Sequence, residues 1–512
     1  MAALLALAPI ALILALMVGL GWPAARAGLA GLAVTIPVAI LGFDYGTATL
    51  PALGPARATA GALIEAGFTA ATILWIIFPA LCLYQLQLVG GAFETLRGRL
   101  VGLSDDRRLL AVLVAWFFGL FMEGAAGFGT PVALAAPILV GIGFTPLNAL
   151  AIVLVGHAAG VSFGAIGTPV LPQIAATGLP GLDISRATGF LHAVLGWILL
   201  VFALRLAERE ETGARRRFPW VPAGLAALCF LLPFLAIAAF VGPELPTLGG
   251  ALAGGVAFVV LLRRMRARSA AGSESAAAES DGGGGLGPLM RAVLPYLVLL
   301  VLILATRLVG PLQEALRAVE LRWALPGGFD GAFEPLYHPG TLLMAGFLIG
   351  GALQGRDAGE LGRAAAIVAR RLPPVAIALV AMLSLAGLMV HADMIALLAE
   401  TAAARLGPVW PWIAPLGGVL GTFVTGSATA SNILLTDFQA ATAARLDLPL
   451  VWLVAAQGFG AAVGNMICPH NIVAGAATVG LQGREGQALR LTLLPAAVYV
   501  AAGGTLVFLL VS

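Results

Sequence analysis

Two stretches of the chain break membrane-grade apolar sequence with small polar residues, and they are versions of one another. The first reads FMEGAAGFGTP over residues 121–131 and HAAGVSFGAIGTP over 157–169. The second reads FVTGSATASNI over 423–433 and QGFGAAVGNMICP over 457–469. Phe121 and Gly124 fall on Phe423 and Gly426, while His157, Gly164 and Pro169 fall on Gln457, Gly464 and Pro469. Hydrocarbon satisfies no backbone N–H or C=O, so unwound chain at that depth survives only beside a polar cavity or inside protein. Interrupted apolar segments at matching places in two halves are the best sequence pointer to the binding site of a secondary transporter.

The surrounding sequence fits a bilayer. Of 512 residues, 60% are hydrophobic and 10% charged, too little charge to coat a soluble core. Full spans are expected near 3–20, 25–42, 61–86, 186–205, 218–241, 245–263, 289–309, 339–354, 372–390 and 491–511. Residues 111–176 and 411–476 do not fit simple crossings. In each, apolar arms of roughly 13 residues flank the Gly/Thr/Ser knot, too short to span, so a re-entrant helical hairpin is expected. A broken helix then follows, interrupted at Gly164–Thr168 and Gly464–Cys468. The expected fold is therefore an all-α polytopic inverted-repeat protein with two re-entrant hairpins and two broken transmembrane helices. Residues 1–264 form the first half and 288–512 the second. The Gly/Ser-rich stretch 265–287 is expected to be a flexible cytoplasmic linker.

Charge sets the orientation. All 28 basic residues are arginines, placed in short loops between apolar runs. With Arg97, Arg99, Arg107 and Arg108 inside, 21 of the 28 arginines fall inside and 7 outside. The first hairpin then enters from the cytoplasm and the second from outside, which makes the repeat inverted. The formal charge of +3 reflects this topology and not nucleic-acid binding. Cys82, Cys229 and Cys468 lie in or beside apolar segments and suggest neither disulfides nor a metal site. Pro23 to Ala27 is compatible with signal cleavage, but an uncleaved first span with Arg26 inside fits better.

The breaks carry the chemistry. Thr130-Pro131 and Thr168-Pro169 are expected to start half-helices near mid-membrane, with Thr as cap and Pro at the first helical position. Asn432 and Cys468-Pro469 take the same places in the second half. Converging helix N-termini offer N–H donors and partial positive charge, an environment suited to a carboxylate. Gly127, Gly129, Gly164 and Gly167 let a small ligand approach the backbone. Ser427, Thr429, Ser431, Asn432 and Asn465 supply hydroxyls and amides. The bland alternative, close helix packing through small residues, accounts less well for two paired clusters. Glu123, one residue before the first knot, is an intramembrane carboxyl and so a functional candidate. Unhydrated, its neutral form is favoured, so it can bind and release a proton; a structural strut is the competing role. His157 is the second proton candidate, against a core histidine with satisfied hydrogen bonds. The string GVSFG at 160–164 matches a nucleophile elbow, but it lies in a membrane helix, not on a sheet. An enzyme is not expected, and neither a cofactor nor a metal is implied.

Glu123 to Gly129, Pro131-Val132-Ala133, and Ser162 to Gly167 resemble the lactate permease family. Residues 423–427, Ser431-Asn432, Gly464 to Cys468, 474–481 and 483–486 resemble that family's second-half signature. The resemblance implies symport of lactate or a related small 2-hydroxy monocarboxylate such as glycolate with a proton, across the cell membrane. It also implies kinship with the ion-transporter superfamily of hairpin-bearing carriers. A sodium-coupled carboxylate or other small-anion carrier, or a cation/proton antiporter on the same architecture, stays open, as does an oligomer.

Overall fold

In the computed structural model, the described residues are 2–20, 22–92, 94–95, 98, 103–104, 106–127, 129–209, 218–270, 286–481 and 484–511. Among them, ten helices are long and apolar enough to cross a membrane. The helices that carry the breaks are the most enclosed. Within the most apolar stretch of each, 94% of residues are buried for Arg107–Ala125, 83% for Ala158–Thr177 and 78% for Leu450–Thr478, against 28% for Ala24–Gly42 and 33% for Glu485–Val511. The outer helices turn residues such as Leu41, Phe240 and Leu494 outward, as lipid-facing surfaces require. The chain is a multi-pass membrane protein with its irregular backbone at the centre.

Residues that position the site come from both halves. Helix α1 (Arg107–Ala125) contains a π-helical stretch, Val112–Phe118. It is followed by α2 (Thr130–Gly141) and α3 (Pro146–Gly156). A 3-10 segment, Ala158–Phe163, leads into a kinked turn at Gly164–Gly167 and then α4 (Leu171–Thr177). In the second half lie α5 (Trp410–Thr425), α6 (Ala428–Arg445), α7 (Leu450–Asn465) and α8 (Pro469–Thr478). Close packing of α5 on α7 depends on glycine: a Cβ at Gly460 would lie 1.8 Å from the Pro415 carbonyl oxygen. One large apolar core surrounds these elements, and a second joins the first two helices to Gly54–Val89 and Pro373–His391.

Four expectations need correction. The arms around the knots are not uniformly short: α1 is 19 residues and α6 is 18, while α2 is 12 and α5 is 16. The span expected at 186–205 is bent by 41° between Gly181–Leu195 and Trp197–Glu208, where Gly196 interrupts it. The chain is not wholly α-helical, because Leu321–Leu325 and Phe329–Phe333 pair as an antiparallel hairpin. Its Phe329 is fully buried against Gly61 of Gly54–Val89 and His391. The linker limits 265 and 287 fall inside helices Pro246–Ala270 and Leu286–Leu308, and most of the stretch between them lies outside the described residues, as do Arg97, Arg99 and Arg215 to Arg217.

Candidate functional site

Each break is built by local backbone chemistry. After α1, Gly127 (φ 58°) and Gly129 (φ 79°) take left-handed conformations that side-chain-bearing residues avoid. Thr130 is the first residue of α2 and not its cap. Its hydroxyl donates back to the Gly127 carbonyl at 2.7 Å, while Gly129 occupies the cap position. The second break is more strained, because Ala165 (φ 44°) and Ile166 (φ 56°) are both left-handed, followed by Gly167 (φ 75°). Thr168 likewise turns its hydroxyl back, donating to the Ala165 carbonyl. The third break is only Gly426-Ser427, and the Ser427 hydroxyl accepts from Ala430 N–H at 3.3 Å as the cap of α6. At the fourth, α7 ends at Asn465 and α8 starts at Pro469. The Asn465 carbonyl accepts from the Asn471 side chain at 3.3 Å and the Cys468 thiol at 3.5 Å.

The breaks meet. A Cβ on Gly164 would lie 2.0 Å from Glu123 Oε1, and one on Gly127 would lie 3.1 Å from Ala165 Cβ. A cavity of about 40 Å³ lies where they converge. One water needs ~10–15 Å³ on this scale, so there is room for about three water-sized groups. Of the residues singled out in the sequence, Glu123, Gly127, Gly129, Gly164, Ser427, Thr429 and Asn465 line it. Sequence reasoning missed Val161, Ala165, Pro169, Gly426 and Ala428, which complete the lining. All five lie inside the quoted motifs, but they carry no polar side chain that would have marked them.

The other sequence candidates lie outside the lining. Gly167 faces the Pro243 carbonyl, 2.4 Å from where a Cβ would sit, and Thr130 and Thr168 are spent on their own turns. Ser431 donates to the Gly418 carbonyl at 2.9 Å. Asn432 sits in the second turn of α6 and not at its start. Its amide donates to the Pro169 carbonyl at 2.8 Å, binding the second half to the break of the first. His157 stands one layer behind the cavity. Its Nδ1 is 2.6 Å from the Val153 carbonyl, its Nε2 3.3 Å from Asn465 Oδ1 and 3.9 Å from Glu123 Oε2. Sequence reasoning also missed a buried chain in which His192 bridges Ser162 and Tyr499 at 2.8 Å on each side, with Ser162 donating to the Gly458 carbonyl. No local pattern marks it, because its members come from separate helices.

The cavity's electrostatics follow from its walls. The N-terminal ends of α2 at Gly129, of α6 at Ser427 and of the helical run from Thr168 all border it. Such ends present free N–H groups and partial positive charge. Among the lining residues Glu123 is the single ionisable group, and no arginine reaches the cavity. Glu123 is 4% exposed and accepts no hydrogen bond from the described residues, so its carboxyl is turned to the cavity and not to a protein donor. An anion held here would be bound by backbone dipoles, hydroxyls and an amide, beside one carboxyl.

Comparison with known proteins agrees with this architecture. The chain is 30% identical over 484 residues to the glycolate permease GlcA of Escherichia coli, covering 85% of this chain and 84% of that one. It is 29% identical over 517 residues to the L-lactate permease of Bacillus subtilis, covering 91% and 88%. Among solved structures, the MtrF efflux pump of Neisseria gonorrhoeae superposes with a TM-score of 0.52 at 15% identity, covering 94% of this chain and 95% of that one. The Alcanivorax borkumensis YdaH transporter gives 0.50 at 16%, covering 87% and 86%. At such identities these two speak for the fold alone. The family described as L-lactate permease matches residues 2–322 and 328–512, and the chain belongs to that family.

Proposed function

We propose that the protein is a secondary transporter that carries lactate or a related 2-hydroxy monocarboxylate such as glycolate, with a proton, across the cell membrane. The names of its relatives suggest the substrate class. The observation that carries the reading is the cavity itself: three helix N-termini and uncharged donors beside one buried carboxyl, with no basic side chain. Ser427, Thr429 and Asn465 supply side-chain hydrogen bonds to the carboxylate and the adjacent hydroxyl, and Gly127, Gly129 and Gly164 let the backbone approach it. Glu123 carries the proton, with His157 behind it. In this reading the two knots are re-entrant hairpins of opposite orientation, the halves 1–264 and 288–512 are an inverted repeat, and 265–287 lies in the cytoplasm. Family membership favours transport over an enzymatic role.

A monocarboxylate moving with one proton is electroneutral, so uptake follows the pH gradient and responds little to voltage. Purified protein in vesicles with an alkaline interior should accumulate labelled L-lactate or glycolate, and a proton ionophore should abolish the accumulation. Glu123→Gln should lose accumulation while retaining lactate–lactate exchange. Uptake that requires sodium and ignores the ionophore refutes proton coupling, and undiminished accumulation by Glu123→Gln refutes the role of that carboxyl.

A further inference from the structure

We infer that the side-chain amide of Asn465 is a switch set by the proton on His157, presenting a donor to the cavity when the imidazole is charged and an acceptor when it is neutral. The inference rests on the reading above and names the device that couples proton to anion. His157 is fully buried and its Nδ1 lies 2.6 Å from the Val153 carbonyl oxygen. A carbonyl only accepts, so Nδ1 carries hydrogen. In a neutral ring Nε2 is then a bare lone pair. Yet Nε2 faces Asn465 Oδ1 at 3.3 Å, which is also an acceptor. Two arrangements remove the conflict. If the ring is protonated, Nε2–H donates to Oδ1, and the amide's NH₂ points away. If the ring is neutral, the amide turns over, its NH₂ donates to Nε2, and Oδ1 points away.

Away from His157 lies the cavity, which Asn465 lines. Its Nδ2 has no hydrogen-bond partner among the described residues. The turn is mechanically simple, since the Asn465 carbonyl is held by Asn471 and Cys468 and the terminal amide torsion is broad and roughly two-fold. A carboxylate in the cavity meets two N–H donors in the first arrangement and an oxygen lone pair in the second. Proton and anion therefore favour the same state, and linkage makes the effect reciprocal. Among the described residues, Glu123, 3.9 Å from Nε2, is the one acidic side chain within 4 Å of the ring nitrogens. The other ionisable residues of α1 are Arg107 and Arg108 at its far end. The helices α3, α5 and α7 and the segment Ala158–Phe163 contain no acidic, basic or histidine residue.

The test is lactate–lactate exchange by the full-length protein in vesicles at equal pH on both faces, from pH 5.5 to 8. The unmodified protein should lose apparent lactate affinity as pH rises, within the usual coupling range of about 5- to 150-fold. Asn465→Ser removes an amide that contacts the anion and so should lower exchange at every pH. Its hydroxyl donates or accepts in either state, so the pH dependence of the exchange that remains should be at least about fivefold smaller. Full pH dependence in Asn465→Ser, or a flat profile in the unmodified protein, overturns the switch. Nitrogen-15 NMR of the His157 ring gives a readout independent of any variant. At alkaline pH the neutral ring should carry hydrogen on Nδ1, and an Nε2–H tautomer overturns the inference. If the unmodified protein moves no 2-hydroxy monocarboxylate although the ring is the Nδ1–H tautomer, the functional reading fails and not the geometry.

Discussion

Substrate size should be set by two side chains. Val161 and Ala428, with Ala165 and Pro169, are the apolar residues in a lining otherwise of glycines, hydroxyls, an amide and a carboxyl. Val161 and Ala428 form with Ala461 and Ala462 a small apolar cluster apart from both main cores. Ala461 and Ala462 lie behind the wall that Val161 and Ala428 present. Glycolate carries hydrogen where lactate carries a methyl, and in a cavity of about 40 Å³ one carbon is a large fraction of the space. One methylene in an apolar pocket is worth ~1–3 kcal/mol, or about 10- to 200-fold in kcat/KM. Ala428→Val adds two methyl groups to the wall, so the lactate/glycolate ratio of kcat/KM should fall by at least about tenfold, the lower end of that range. Val161→Ala removes two and should raise 2-hydroxybutyrate relative to lactate by a similar factor. The assay is competitive uptake of labelled glycolate, lactate and 2-hydroxybutyrate by protein quantified in the vesicles. If both substitutions leave the ratios within about twofold, an effect below one methylene's worth, these residues do not face the substrate's side chain.

Other consequences follow from packing and from titration outside the membrane. Gly460→Ala would press a Cβ to 1.8 Å from backbone of α5, which no rotamer change relieves, so α5 and α7 must part. Overpacking of this kind costs ~1–3 kcal/mol or more and should lower the thermal unfolding midpoint in detergent. Gly387 lies in helix Pro373–His391 with no atom within 4 Å of a new Cβ, so Gly387→Ala should raise the midpoint by the ~0.5–1 kcal/mol of helix propensity. Reversal of this order would refute the packing argument. His338 precedes helix Pro339–Leu353, and its Nδ1 accepts from Gly340 N–H at 3.3 Å, which requires an unprotonated nitrogen. Burial, and then the charge of Arg307, lower its pKa from 6.5 to about 4. A depressed histidine pKa means the unfolded chain binds the proton more readily, so its contribution to stability is complete above pH ~6.5 and is lost as pH falls toward 4. An NMR titration of His338 with a midpoint at 6 or above would contradict this.

The positions of the breaks were legible because hydrocarbon leaves so few solutions: glycines and a Thr-Pro within an apolar run mark where helical hydrogen bonding stops. The geometry of the breaks was not legible. Aligning the repeats puts Asn432 on Thr130, yet the first tip runs from Ala126 to Gly129 and the second is only Gly426-Ser427. The helix after the second tip therefore starts earlier relative to the repeat, and Asn432 ends up inside it, reaching across to Pro169. Sequence alignment cannot register a difference in where each half stops unwinding. The β-hairpin had a local signal that went unread, since Pro326-Gly327-Gly328 separates two short segments and both glycines take positive φ. The His192 chain had none, because Ser162, His192 and Tyr499 come together only through helix packing.

The two halves are unequal in a way that fits one site better than two. The first contributes the carboxyl and the strained turn; the second contributes the hydroxyls and an amide. Ala165 and Ile166 in left-handed conformations each cost ~1–3 kcal/mol, and Ile, branched at Cβ, is especially ill suited to that region. Thr168 holds that turn from within, but the bond from Asn432 to the Pro169 carbonyl comes from the other half. The His157–Asn465 contact crosses between halves in the same way, as does Ser162 to Gly458. Strain stored in one half and restrained from the other is released if the halves move apart. A rearrangement at this seam would therefore change the cavity's shape and the hydrogen-bond partners of Asn465 in one step.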